Sequence, residues 1–291
     1  MIYYLMLAVA AIGTAGNFAL TKVYQKTMGD AVRESIIFNM MIGLFSIVFF
    51  WIAGGFQWEF TPYSAIMTFL MSLFVGIYTM IGFKLMSMGS MTVYTIFLML
   101  GGAIVPYVYG LIFLDEPITS ARIVALLLIV AAVVINGFRG KSEKQSVKFI
   151  ILCIAVFLLN GATSVVSKMH QVETEYRVVS AESFVVLKSV TRFLFFAILL
   201  PFCRKKTKEH KPMPPKMYFV MICSAVVSGF AYMWQLIGAA YLPATVLYPI
   251  VTGGTIVATS LFDKICFAQH LHKNTIISMV LCVIALVLFV I

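Results

Sequence analysis

The chain has 291 residues, 62% of them hydrophobic and 11% charged, with a mean hydropathy of +1.02. Soluble domains carry about 25% charged residues, so a soluble enzyme or free-standing binding module is excluded and the bulk of the chain belongs in lipid. The net charge of +10 is read as loop charge that fixes topology, not as a footprint for nucleic acid.

Ten apolar segments follow one another, at roughly 2–24, 34–53, 63–83, 91–113, 120–138, 148–169, 180–202, 217–240, 244–262 and 274–291. Each approaches the ~20 residues that cross a hydrocarbon core. All read as helices, because an open strand in lipid leaves backbone groups unpaired. The first carries Asn17, Lys22 and Gln25 near its end; Met1-Ile2-Tyr3-Tyr4 has no basic stretch of the kind that opens a signal peptide. The second opens at Glu34. The third holds Tyr78, and the fourth holds Tyr94, Thr95, a Gly101-Gly102 pair, Pro106 and Tyr107. Asp115-Glu116-Pro117 then reads as a turn, with Thr119 or Ser120 capping the fifth segment.

A basic loop at 139–148 divides the chain in two, and the sixth segment brings Asn160, Lys168 and Gln171. The seventh carries Lys188 and Arg192, four residues apart on one helical face and far from both ends. A second basic loop at 203–216 closes on Pro212-Met213-Pro214-Pro215, which stops any helix. The eighth segment contains Tyr232, Trp234 and Gln235, and the ninth contains Pro249, Tyr248, Thr252 and Gly253-Gly254. Neither loop holds a domain, so function must lie within the membrane body.

The two halves repeat. NFALTKVYQ at 17–25 matches TSVVSKMHQ at 163–171, setting Lys22 against Lys168 and Gln25 against Gln171. ESIIFNMMIGLF from Glu34 matches ESFVVLKSVTRF from Glu182, and each half has its Gly-Gly pair. The units are residues 1–138 and 149–291, joined by the loop 139–148. Five spans per unit means the second enters the bilayer upside down relative to the first. Inverted halves of this kind build secondary transporters, with the site at the midplane between them.

Chemistry-bearing motifs are sparse. There is no His-Glu-x-x-His, Gly-x-Ser-x-Gly, Cys-x-x-Cys or phosphate-cradling loop. His270-x-His272 near Asp263 offers a metal site or, more simply, a solvated loop pair. The five cysteines are scattered, without disulfide or metal spacing. The expectation is a non-enzyme with no cofactor and no metal.

Asn17-Phe18 with Lys22 late in the first segment, the Leu114-Asp115-Glu116-Pro117-Ile118-Thr119 turn after the fourth, and the five-plus-five plan resemble the EamA-type branch of the drug/metabolite transporter superfamily. The resemblance covers the whole chain. It departs at Ala15-Gly16, where the family has Trp-Gly, and at Phe267-Ala268-Gln269-His270, where the second half lacks the Glu-Pro turn. What it implies is an integral membrane carrier of small metabolites: ten transmembrane helices, as two inverted five-helix repeats around a central cavity.

Intramembrane polar groups are costly and mark the site. The candidate cavity set is Asn17, Lys22, Tyr78, Tyr94, Asn160, Lys168, Arg192, Trp234, Gln235 and Tyr248. Lys22 and Lys168 either line the cavity as a symmetric pair or snorkel to the headgroups. Lys188 and Arg192 either anchor the fold by pairing with Glu34 or Glu182, or bind a substrate anion. The functional expectation is a secondary transporter of an amino acid, another zwitterion or an organic anion, working with a coupling proton or ion as monomer or homodimer. A lipid-handling flippase or membrane accessory protein is the alternative. Loop charge places both termini outside a bacterial plasma membrane: sixteen Lys and Arg fall on the odd-numbered loops and their flanks, against Arg122, Lys168 and Arg177 on the other side.

Overall fold

Why helices start and stop where they do is visible at their ends. Thr61 accepts the Ser64 amide at 3.2 Å and Pro62 follows as the first helical residue, where a missing N–H costs nothing. Thr119 accepts the Arg122 amide and Ser180 that of Ser183, each at 3.3 Å. Pro215 opens its helix in the same position as Pro62. In the computed structural model, ten α-helices result: α1 (Ile2–Met28), α2 (Val32–Ala53), α3 (Pro62–Met88), α4 (Met91–Phe113), α5 (Ser120–Gly137), α6 (Val147–Val172), α7 (Ala181–Leu199), α8 (Pro215–Tyr241), α9 (Ala244–Phe267) and α10 (Lys273–Val290). The structure describes residues 2–290 except 30, 89–90, 138–146, 204–212 and 269–270; the side chains of 83–84, 86–88, 91–96 and 136–137 also fall outside it. Among the described residues there is no strand, and eight helices are long and apolar enough to cross a membrane. Those of α4 and α5 are shorter apolar stretches, Phe97–Phe113 and Ser120–Ile135.

The helices match the ten apolar segments, with α1, α3, α6 and α9 running further than hydropathy alone marks. The overhang in α1 carries Lys26, and that in α9 carries Lys264 in its last turn. A helix does not end where lipid ends; its polar last turn continues into the interface.

Packing is organised across the chain midpoint. α1 lies against α8 and α9, and α6 lies against α3 and α4. α2 packs on α7 and α8, α3 on α7, α4 on α9 and α5 on α10. The two halves are thus interleaved, and neither buries its own helices alone.

Small residues set the crossings. A Cβ on Gly101 would meet the Phe157 carbonyl oxygen at 2.1 Å, so α4 and α6 touch backbone to backbone there. Asn160 reinforces that crossing by donating from its amide to the Leu98 carbonyl at 2.7 Å. The partner pair behaves alike: a Cβ on Gly254 would stand 2.9 Å from that of Ala11, where α9 crosses α1. Both Gly-Gly pairs therefore mark close approaches to the first helix of the opposite half. The largest apolar cluster joins α4, α5, α9 and α10 through Ile129, Val133, Val246, Leu247, Cys282 and Phe289.

Candidate functional site

α7 brings Lys188 and Arg192 to either side of its midpoint, between α2, α3 and α8. The α2–α7 approach depends on Gly43, whose absent Cβ would lie 3.0 Å from the Phe193 amide nitrogen. That approach delivers Asn39, whose side-chain oxygen accepts from an Arg192 Nη at 2.5 Å. Asn39 is positioned in turn by donating to the Ser35 carbonyl at 2.8 Å. The Arg192 Nε is buried without a hydrogen-bond acceptor. The guanidinium also lies within electrostatic reach of the Tyr78 hydroxyl and of Lys188.

Lys188 points its ammonium at the face of Tyr232, 3.1 Å from the ring centroid, a cation–π contact that supplies attraction but no counter-charge. The Tyr232 hydroxyl donates to Ser167 at 3.1 Å. Behind them, Ser72 and Thr191 share a hydrogen bond of 2.7 Å and tie α3 to α7. Lys188, Arg192, Tyr78 and Tyr232 lie deep in the bundle, yet each keeps part of its surface accessible. Among the described residues the single ion pair is elsewhere, between Lys22 and Asp263. Neither Glu34 nor Glu182, the partners that chain position suggests, makes an ion pair with Arg192.

The remaining candidates separate by role. Lys22 sits at the far end of α1, its ammonium 2.6 Å from Asp263 and 4.5 Å from the Phe267 ring centroid. Lys168 is 4% exposed and donates to the Ala239 and Leu242 carbonyls at 2.8 and 2.7 Å. Those are orphan acceptors at the C-terminus of α8, where a cation also favours the helix dipole. Asn17 accepts from Ser224, joining α1 to α8. Tyr248 donates to the Ser164 carbonyl at 2.6 Å, joining α9 to α6, and is 2% exposed. Trp234 leans on Phe230 at 5.9 Å between ring centroids, which continues into Phe49 and Phe50. Gln235 is half-buried one turn beyond Tyr232. The Tyr94 side chain and His270 fall outside the described residues.

Two residues outside the candidate cavity set are central. Asn39 is one; Glu116 is the other. The Glu116 carboxylate accepts from the Ala244 amide at 2.6 Å, and from the Thr245 amide and hydroxyl at 2.8 and 2.7 Å. It caps α9 from a turn in the opposite half. The α8–α9 connection is thus held from both sides, by Lys168 on the last carbonyls of α8 and by Glu116 on the first amides of α9. Signals for both were present, a charge inside a span and an acid in a turn, but their partners lie 71 and 128 positions away.

Outside the spans, Glu173 shapes the α6–α7 loop: the Glu175 amide above all, together with the Tyr63 hydroxyl and the Thr174 and Tyr176 amides, holds its carboxyl below the usual range. All five cysteines are free, and no group of three His, Cys, Asp or Glu residues with metal-binding geometry occurs among the described residues.

No family model and no curated protein matches this chain. A solved crystal structure does: it aligns with 96% of this chain and 95% of its own, at a TM-score of 0.76 and 12% sequence identity. At that identity the likeness establishes a shared fold and nothing about activity.

Proposed function

We propose that this chain is a secondary carrier of the drug/metabolite transporter type, moving a small organic metabolite by alternating access through a cavity between inverted halves, residues 1–138 and 149–291. The reading rests on one observation above all. Two cations, Lys188 and Arg192, stand at the middle of a membrane-spanning helix with a carboxamide and an aromatic face for company and, among the described residues, no carboxylate in an ion pair with either. An uncompensated charge pair at that depth is costly and is kept for a ligand that completes it. The substrate is an amino acid, another zwitterion or an organic anion.

The helix pairings support the repeat. Exchanging α1–α5 with α6–α10 turns the α1–α8 contact into α6–α3, α1–α9 into α6–α4, and α3–α7 into α8–α2, and all six are present. The α2–α7, α4–α9 and α5–α10 contacts map onto themselves, as contacts on a two-fold axis must. A thermal-shift screen of the purified protein against amino acids and small organic acids tests the carrier reading. A true ligand at 100 times its Kd stabilises the fold by about 2.7 kcal/mol, and a panel without a single shift sinks the substrate assignment.

A lipid-handling role is the second reading, and an apolar groove between α1, α9 and α10 favours it. Tyr4, Ile12, Gly254, Leu261 and Val290 line about 340 Å³ there. The lining offers a headgroup no charged partner, which is why the cation site ranks first.

Both termini lie outside the plasma membrane in this reading, because the basic residues gather on the opposite side. A single cysteine placed at Ser142 stays protected from a membrane-impermeant thiol reagent in intact cells, while one added at the N-terminus reacts. The reverse pattern inverts the topology.

A further inference from the structure

The apolar groove between α1, α9 and α10 runs toward a charged rim that lies just beyond its lining. On α1 its wall is Tyr4, Ala8, Ala11 and Ile12. Lys22 comes eighteen positions after Tyr4, five whole turns at 3.6 residues per turn, and Lys26 one turn later. Both lysines therefore stand on the groove face of α1. On α9 the wall runs from Ile250 to Leu261, and Lys264 follows Leu261 by three positions on the same face. The two helices run in the same direction, since Ala11 meets Gly254 and, further along, Lys22 meets Asp263. All three lysines thus gather at one end of the groove.

Their arrangement leaves charge unanswered. Phe267, the last residue of α9, presents its ring to two ammonium groups, Lys22 at 4.5 Å and Lys26 at 4.7 Å from the centroid. Asp263 pairs with Lys22 at 2.6 Å; among the described residues neither Lys26 nor Lys264 has an ion-pair partner, and both are exposed. The ring holds Lys26 in place without cancelling its charge. Beyond this rim Ala8, Ile12, Leu261 and Val290 line the groove and are exposed, so its open side meets hydrocarbon. Its α9 wall is about 16 Å long at the helical rise, close to one leaflet's share of a ~30 Å hydrocarbon core. A ligand that answers both parts carries a phosphate at one end and an acyl chain of leaflet length behind it. A zwitterionic headgroup would bring its own cation to the lysines; an anionic one brings none.

We propose that this groove holds one anionic phospholipid as a resident ligand, its acyl chain along the α1, α9 and α10 walls and its phosphate on Lys26 and Lys264. The lipid is a bound partner here and not cargo. Its binding does not depend on the solute carried, so failure of the carrier reading leaves it untouched. In the orientation proposed above the rim faces the cytoplasm, where anionic lipids attract basic residues at the membrane surface.

The test measures apparent Kd by native mass spectrometry of the full chain in neutral detergent. The probes are dioleoyl phosphatidylglycerol, dioleoyl phosphatidylcholine and glycerol 3-phosphate. Phosphatidylglycerol should bind about 30-fold more tightly than phosphatidylcholine, the effect of two lysines facing an anionic headgroup. The double variant Lys26→Gln/Lys264→Gln should abolish that preference. Ala8→Phe fills the groove from an exposed position and should weaken both lipids alike by about tenfold, as the loss of two buried methylenes would. Lipid-free melting temperatures confirm that the variants fold, and the comparison of the two lipids on the parent needs no variant. Equal affinity of the parent for both lipids, or a preference that survives the double variant, overturns the headgroup site. Glycerol 3-phosphate binding as tightly as phosphatidylglycerol, or unchanged lipid affinity in Ala8→Phe, overturns the acyl seat and leaves a site for a free anion at most.

Discussion

Arg192→Leu yields a folded protein that has lost about 100-fold of its anion affinity. The geometry argues each half of that result. Among the described residues, Arg192 gives one hydrogen bond, to the Asn39 oxygen, and forms no ion pair. Its removal strands no buried carboxylate, and the Asn39 amide keeps its own bond to the Ser35 carbonyl at 2.8 Å. The stability change is that of one hydrogen bond to a charged group, ~1.5–3 kcal/mol at most, offset in part by relief of an unpaired buried cation. Binding loses a charge-assisted contact of similar size, and each 1.4 kcal/mol is tenfold. Melting temperature and ligand titration on the same preparation separate the two. A variant that will not fold returns Arg192 to a structural role; one that folds and binds like the parent removes it from the site. Lys188→Gln tests the other half of the same pair: its ammonium touches only the Tyr232 face, so this variant also folds and also loses affinity.

How much of this was legible in the chain depends on the distance to each partner. Helix number and helix order follow from local composition, and the structure repeats them with small extensions. The Gly-Gly pairs are recognisable as special, but a linear reading leaves bending and packing equally open; the Phe157 and Ala11 contacts decide for packing. Lys188 and Arg192 stand out because charge is rare inside a span. What surrounds them does not, because Asn39 lies 153 positions from Arg192 and looks like an ordinary polar residue in a repeat. Glu116 reads locally as part of a turn, and its capping role appears only once α9 begins beside it. The paired lysines show the same limit from the other direction. Their matching positions are plain, and their environments are opposite.

That contrast carries the remaining prediction: Lys168→Met destabilises the protein strongly, and Lys22→Met does not. Lys168 is 4% exposed and satisfies two carbonyls at the end of α8. Methionine fills the space and leaves both acceptors buried and unpaired, at ~1–3 kcal/mol each. It also takes the nearby positive charge away from Glu116, which then caps α9 alone. Lys22 has 32% of its side chain exposed and pairs with an Asp263 exposed to the same degree. A pair of that kind contributes about 1 kcal/mol or less. Thermal melts in detergent should therefore separate the two variants clearly, with Lys22→Met close to the parent. Transport should order them differently. If the halves exchange conformations during the cycle, Lys22 must at some stage take the buried position that Lys168 holds now, closing the opposite end of the cavity. Lys22→Met then keeps its melting temperature and loses turnover, a combination that a solvent-facing lysine cannot produce. Unchanged turnover in a stable Lys22→Met protein confines the symmetry to the helix scaffold and leaves the closing contacts one-sided.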